Sequence, residues 1–433
     1  MNSIFDFLAG AGAVVGPVTP SAKAPVPAAN KTHVKGDAIT AVYSPSATFF
    51  ELSGRELLGS AKIMIGMRVP FYDIKAQYDE LAEPLTQSVQ EVLSGGGYVL
   101  GPHCHAIEQE LADLHGVKHG IGLNSGTDAL RIMMDAAEIG PGDEVITTAF
   151  TFVASAETIV QTGARPVFVD IDPNTYDIDP ANIAAAITPK TKAILPIHLF
   201  GQMADMDPIM SLAGERGLTV IEDAAQALVC SQNGRSAGQF GIAAGLSFYV
   251  TKNLGAAGDA GMILTDDDEI ARRCRSIRVH GMGRERYHYD YLGYTSRMDE
   301  IQAAVLRVKL TALTEWNARR ASVAETYLSE LKGLDLQLPV IREGNTHTWH
   351  QFCVLTPRRD ELMAFLKARE IDSMIYYPIP LHLHGPYKQF GNGLGSLPIT
   401  ERVSKQILSL PMHPHLCAAQ VQNVINAVRA FYA

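Results

Sequence analysis

The chain lacks the features that would place it outside the ordinary globular proteins. Its five cysteines are dispersed and odd in number, with no CxxC pair among its 433 residues. That argues against a disulfide framework and against a structural zinc site, and points to the reducing cytoplasm. No apolar run approaches the roughly 18 residues that a membrane span needs. The small apolar stretch from Phe5 to Val18 has no basic flank and contains Pro17, so it does not read as a signal peptide. A positive excess is missing too: 46 acids against 36 bases give a net charge of −10. Nucleic acid and anionic membranes are therefore disfavoured as partners, although a local basic cluster could still hold a phosphate.

What is present is a globular mixture, 47% hydrophobic and 19% charged, long enough to bury a full core. Residues 1–66 are rich in Ala, Pro, Ser and Gly and have little periodicity. They are expected to be a disordered extension ahead of the fold. From Met67 onward, strand-like and helix-like segments alternate. Apolar runs at Glu144–Thr148, Pro166–Asp170, Ala193–Ile197 and Thr219–Glu222 resemble buried parallel strands. Helical stretches are expected at Thr127–Glu138, Val153–Gln161, Pro180–Ile187 and Pro208–Glu215. This order predicts a mostly parallel sheet covered on both faces, with any site outside the carboxyl ends of its strands. A long helical region is expected over about Asp299–Lys332. A small α/β unit follows, with strands at Gln351–Leu355 and Ser373–Tyr377 and helices at Asp360–Arg369, 400–408 and 418–432. The expected division is a large domain over 67–330 and a small one over 331–433.

Four features fall at strand ends. Asn124-Ser125-Gly126-Thr127 opens a helix and suits either an anion cradle or simple N-capping. Glu222-Asp223 ends an apolar strand and puts at least one carboxylate at the sheet's edge, unless both only cap the next turn. Lys252 follows the apolar Ser247–Val250 stretch and precedes a Gly-rich loop; it is either a nucleophile of lowered pKa or a lysine with its head in water. Phe150-Thr151-Phe152 offers an aromatic that could stack on a planar ring or fill the core. No GxGxxG follows the first strand, which leaves a nicotinamide dehydrogenase poorly supported.

Cradle, aromatic, acid and lysine occur in that order. Around them lie Val69-Pro70-Phe71-Tyr72-Asp73, Tyr98-Val99-Leu100-Gly101-Pro102, Ser125-Gly126-Thr127-Asp128-Ala129-Leu130, Gly140-Pro141-Gly142-Asp143-Glu144-Val145, Glu222-Asp223-Ala224-Ala225-Gln226, Ser247-Phe248-Tyr249-Val250-Thr251-Lys252-Asn253-Leu254-Gly255, Tyr377-Pro378-Ile379-Pro380-Leu381-His382 and Leu408-Ser409-Leu410-Pro411. Together these closely resemble the DegT/DnrJ/StrS-type sugar aminotransferases from about Met67 to the C-terminus.

The resemblance implies a fold-type-I α/β architecture, a homodimer and pyridoxal 5′-phosphate (PLP) as cofactor, with no metal. It implies that Lys252 forms the Schiff base with PLP and shuttles protons, and that Asp223 pairs with the pyridine nitrogen. Gln226 would meet the ring hydroxyl side, Phe152 would stack on the ring, and Gly126, Thr127 and Ser247 would hold the phosphate. Thr295 stands where the family usually has an Asn that reaches the partner subunit's phosphate. Arg284 and Arg286, in a loop after an Arg-rich helix, and His382 are the candidates for substrate contact. The implied reaction aminates a nucleotide-linked keto-sugar with glutamate as donor. Gln226 in place of His leans toward 3-keto substrates. A keto-inositol aminotransferase and a non-catalytic regulator that binds PLP or sugar are the alternatives; a dehydratase of this family would carry His in place of Lys252.

Overall fold

A computed structural model of the chain describes residues 67–433, so the expected extension over 1–66 lies outside the described residues. Seven strands form the main sheet: β1 (His119–Leu123), β2 (Glu144–Thr148), β3 (Arg165–Val169), β4 (Thr191–Ile194), β5 (Thr219–Asp223), β8 (Ala243–Ser247) and β9 (Gly261–Thr265). A two-residue hairpin, β6 (Ser231–Gln232) with β7 (Arg235–Ser236), lies between β5 and β8 in the chain. The order across the sheet is β1-β9-β8-β5-β4-β2-β3. Pairing from β8 through β5, β4 and β2 to β3 is parallel, and β9 runs antiparallel to both its neighbours, β8 and β1.

Strict alternation along each strand sends side chains to two cores. Val220, Met262 and Leu264 pack into one, while Ile221 and Ile263 pack into the other. Both faces are covered, which is why the strands read as unbroken apolar runs. The four helices expected between 127 and 216 are found at Gly126–Ala136, Ala154–Gln161, Pro180–Ala186 and Met206–Arg216. Pro180 sits at the first helical position, and the Asp179 carboxylate caps the helix by accepting from the Ala181 N–H at 2.9 Å.

One expectation gains detail and one fails. The helical region over Asp299–Lys332 breaks into Glu300–Leu310 and Leu313–Glu330. At the break the Thr311 hydroxyl donates to the Val308 carbonyl at 2.7 Å, and Ala312 N–H turns back to Lys309, so local bonds compete with the helical ladder. Ser373–Tyr377 is not a strand and meets the small sheet only through a bridge from Met374 to Ser409. The partner of β10 (Phe352–Leu355) is β11 (Ile407–Leu410), antiparallel, where the helix over 400–408 was expected to run. That helix is Pro398–Gln406, and the chain turns extended at Ile407, within an apolar run that ends at Pro411.

A buried carboxylate fastens the N-terminal part to this frame. Glu300, 1% exposed, accepts from the backbone N–H groups of Gly101, His103 and Cys104 at 2.9, 2.6 and 3.1 Å. These are the otherwise unpaired donors at the start of helix Pro102–His115. Burial works against ionisation of Glu300, but the Cys104 side chain and these three N–H groups outweigh it and hold the carboxyl below its usual range. Stability from this group is therefore present above the ordinary carboxyl pKa and is lost as pH falls through the lowered folded value. We predict that Glu300→Gln costs about 2–3 kcal/mol at neutral pH, because the amide keeps one acceptor oxygen and turns its NH2 group toward a backbone N–H that the second carboxylate oxygen had held. In denaturant titrations the gap from wild type should shrink steadily below about pH 4.5; a gap that did not change with pH would contradict the ionised cap.

Candidate active site

The carboxyl ends of β5 and β8 and the start of helix Gly126–Ala136 open onto a cavity of about 480 Å³. Ser125 caps that helix from extended backbone, its Oγ accepting from Asp128 N–H at 3.1 Å. The Gly126 and Thr127 N–H groups precede any intrahelical partner and carry the positive end of the helix dipole. Capping and anion cradling, alternatives in the sequence, are thus compatible at this turn. The cradle is tight: a Cβ on Gly126 would lie 2.7 Å from the Ser247 Cβ, and one on Gly261 would lie 2.3 Å from the Ser125 carbonyl carbon. Glycine at 126 lets the helix start abut the end of β8, and glycine at 261 lets β9 pass behind it. Gly126→Ala should therefore weaken capture of an anionic ligand about tenfold, the equivalent of the lower range for overpacking. Fluorescence titration with PLP would measure this, and unchanged affinity would argue against the cradle.

Alternation along β5 separates the two carboxylates that the sequence left together. Glu222, fully buried, meets His198 Nε2 at 3.0 Å and accepts from the Gly238 and Gly241 N–H groups at 3.1 and 2.9 Å. Asp223 turns the other way and lines the cavity. Its carboxylate accepts from the Ser155 hydroxyl at 2.7 Å and from the Ala225 N–H at 3.2 Å. Ser155 is held in turn by the Thr151 hydroxyl at 3.0 Å. Burial raises the Asp223 pKa, and Ser155, the Ala225 N–H and Lys252 oppose that shift. Such a carboxylate is short of a cationic partner.

Lys252 lines the same cavity. Burial pushes its ammonium down to about 8, with Asp223 acting in the opposite direction. An amine tuned to that range is readily deprotonated near neutral pH, as a nucleophile or proton carrier must be.

The structure brings Gly126, Thr127, Phe152, Asp223, Gln226, Ser247 and Lys252 to this one cavity. Phe152 is 57% exposed, so an aromatic face is available there; Phe150 is buried and belongs to the core. Gln226 is anchored at both ends of its amide, accepting from the Phe200 N–H at 3.0 Å and donating to the Tyr377 hydroxyl at 3.1 Å. One amide proton remains for a ligand.

Four residues are placed elsewhere. Thr295 lies outside the cavity with its hydroxyl 3.0 Å from His280 Nε2. Arg284 and Arg286 are exposed, and the Arg286 guanidinium lies over the Tyr287 ring. His382 is fully buried, its Nε2 is 3.2 Å from the Glu401 carboxylate, and it lines a separate small cavity beside Phe390. The imidazole is committed to holding Glu401, which in turn accepts from the Gly395 and Leu397 N–H groups. Substrate contact by His382 in this cavity is therefore not what the structure shows.

Sequence reasoning missed several lining residues. Tyr72 and Tyr376 meet hydroxyl to hydroxyl at 3.1 Å, and Gln351 donates to Tyr72 at 2.8 Å. Tyr72 and Tyr377 stood in motifs that were recognised without being given roles. The lining residues His350 and Gln351, and Ser155, which bonds Asp223 without lining the cavity, had no local signal, because only the folded chain brings them to the strand ends.

Comparison with known proteins agrees with this geometry. A sequence model of the DegT/DnrJ/EryC1/StrS aminotransferase family matches residues 79–429. A pleiotropic regulatory protein of Geobacillus stearothermophilus is 48% identical over 369 residues, covering 84% of this chain and 99% of that protein. The UDP-N-acetyl-3-dehydro-α-D-glucosamine 3-aminotransferase of Acidithiobacillus ferrooxidans is 45% identical over 362 residues, covering 83% of this chain and 97% of the relative. Among solved structures, S. venezuelae DesV in complex with a ketimine intermediate matches with a TM-score of 0.82 and 45% identity, over 84% of this chain and 98% of DesV. The family match spans the cradle, the buried acid and the lysine alike: this chain belongs to the DegT/DnrJ/EryC1/StrS aminotransferases.

Proposed function

We propose that the chain is a PLP-dependent aminotransferase that converts a nucleotide-linked keto-sugar, by preference a 3-keto-sugar, to the amino sugar with L-glutamate as donor. The carrying observation is the pairing of a buried, partner-poor Asp223 with a Lys252 of lowered pKa in one cavity. PLP fits the residues present. Gly126, Thr127 and Ser247 would hold its phosphate where a Cβ would otherwise intrude, Phe152 would cover a ring face, and Gln226 would offer its free amide proton to the ring hydroxyl side.

Bound PLP supplies an electron sink for the carbon that loses its proton. The residues then have separable tasks. Asp223, steadied by Ser155, holds a proton on the ring nitrogen. Lys252 Nζ takes the proton from the donor's α-carbon and returns one to the acceptor carbon. Phe152 and Leu130 limit water around the reacting face.

The lean to 3-keto substrates is supported by Gln226 and by the name of the A. ferrooxidans relative. Thr295, Arg284 and Arg286 would serve a neighbouring subunit's cavity in a homodimer, where a shorter hydroxyl replaces the usual amide and two guanidinium groups can meet a diphosphate. We place the enzyme in the cytoplasm; among the described residues no helix is long and apolar enough to cross a membrane. We place the boundary between the large and small domains near residue 330; an apolar cluster joins Phe352, Leu362, Leu408 and Val424 beyond it to Val69, Val323 and Tyr327 before it, so the two pack together there.

A regulator without turnover, suggested by the name of the G. stearothermophilus relative, has no need of a low-pKa lysine beside a buried acid. The test is an absorbance spectrum of the purified protein with PLP, before and after glutamate. The expected result is a visible band of lysine-bound cofactor that gives way to pyridoxamine phosphate, which a nucleotide 3-keto-sugar then reverses. A band indifferent to every amino donor would favour the regulator, and no band at all would overturn the assignment of Lys252.

A further inference from the structure

Four tyrosines line the cavity. Tyr249 is half exposed, and hydrogen-bond direction separates the other three, Tyr72, Tyr376 and Tyr377. Tyr376 donates its proton to the Met374 sulfur at 3.2 Å. A thioether can only accept, so the 3.1 Å contact between two hydroxyls is Tyr72 donating to Tyr376. With the Tyr72 proton spent, Gln351 is the donor in its 2.8 Å bond to Tyr72. Tyr72 and Tyr376 therefore offer a ligand lone pairs alone.

Tyr377 has the opposite polarity. The Phe200 N–H fixes Gln226 Oε1 as an acceptor, so Gln226 Nε2 donates to the Tyr377 oxygen at 3.1 Å. No acceptor meets the Tyr377 hydroxyl proton among the described residues. Burial raises the pKa of this phenol, with the Gln226 bond opposing and Asp223 reinforcing the shift, so the proton stays in place at neutral pH. The ring is held edge-on to the buried Phe150, with centroids 6.0 Å apart. The cavity thus contains a rigidly placed hydroxyl with an uncommitted proton.

Lys252 is the only lysine or arginine that lines the cavity among the described residues. An amino-acid carboxylate that enters is therefore met by neutral donors. The two protons of the Gln226 amide diverge by about 120°, so oxygens bonded along them stand about 5 Å apart. With the PLP hydroxyl on one of them, Tyr377 stands on the hydroxyl side of the ring without touching that hydroxyl. The donor's amine joins the ring carbon next to the hydroxyl, which brings the α-carboxylate to the same side.

We propose that Tyr377 is a specificity-determining residue for the amino donor: its hydroxyl gives its uncommitted proton in a hydrogen bond to the donor's α-carboxylate. The proposal rests on the aminotransferase reading for the presence of PLP and an amino-acid donor. Sequence does not announce it, since Tyr376 and Tyr377 are neighbours in one motif and only their folded partners tell acceptor from donor.

The experiment uses the full chain loaded with PLP and titrated with α-methyl-L-glutamate, which joins the cofactor but has no α-proton to lose. Tyr377→Phe keeps the ring and its packing on Phe150. Its dissociation constant, read from the visible spectrum, should rise about 10- to 100-fold, the equivalent of one hydrogen bond to a charged group. In stopped-flow kinetics the loss in the glutamate half-reaction should fall mainly on KM, and it should exceed any loss in the keto-sugar half-reaction. An unchanged dissociation constant, as when a partner subunit's guanidinium holds the carboxylate, would overturn the proposal. So would an equal loss in both half-reactions, which marks a structural role, or a loss confined to the keto-sugar. A wild-type chain that gave no visible band with PLP would overturn the aminotransferase reading and this proposal with it, whereas a normal band with an unchanged titration would overturn the proposal alone.

Discussion

Lys252→Ala is expected to lose transamination by at least about 10⁴-fold, the upper end of what one positioned proton-transfer group supplies, and to lose the visible band of lysine-bound PLP. The lysine lies in the cavity with its ammonium depressed to about 8 by burial, so it can give and receive a proton near neutral pH. Its backbone is pinned on both sides, by the Lys252 N–H bond to the Tyr249 carbonyl at 2.8 Å and by the buried amide of Asn253. Truncation should therefore leave the fold and the phosphate cradle in place. Cofactor should still bind without the covalent signature, which equilibrium dialysis would separate from failure to bind. Normal turnover in the variant would refute the site.

Asp223→Asn should slow the glutamate half-reaction about 2 × 10²- to 5 × 10³-fold. That is the rate equivalent of losing one member of a buried ion pair, at about 3–5 kcal/mol. An amide of the same shape can still accept from the Ala225 N–H with its oxygen while its NH2 group meets the Ser155 hydroxyl, which can turn to accept, but it carries no charge to keep a proton on a ring nitrogen. Asp223→Ala should be worse for stability, because it strips the Ser155 hydroxyl and Ala225 N–H of their acceptor. Stopped-flow kinetics on the Asn variant, with melting curves on both, separate the chemical loss from the structural one. If Asp223→Asn turned over at the wild-type rate, the acid would be a structural cap and the proposed division of labour would fail.

Much of this site was legible before any coordinates. The parallel strands announced themselves as unbroken apolar runs because they are covered on both faces, and the motif order placed the cradle, aromatic, acid and lysine at strand ends. The strand pattern alone did not say which carboxylate of Glu222-Asp223 enters the cavity, because that depends on which face of β5 looks toward helix Gly126–Ala136; the family resemblance pointed to Asp223, which lines it. His382 looked like a ligand contact from its motif but is held by Glu401, 19 residues further along the chain, across a turn that local sequence does not reveal. The small sheet was misjudged for the same reason. Apolar residues at 373–377 and 407–410 are equally strand-like, and only tertiary packing decides which pairs with Phe352–Leu355.

The back-to-back carboxylates of β5 also set how this gene can vary. Glu222 secures Gly238 and Gly241 on one side of the sheet, and Asp223 serves the cavity on the other. Each can be exchanged singly, at a measurable loss. Deleting or inserting one codon between Thr219 and Asp223 would instead trade their faces, turning Glu222 toward the cavity and Asp223 away from it, each out of register with the groups the other had served. Length changes should therefore be purged from this strand far more strongly than substitutions.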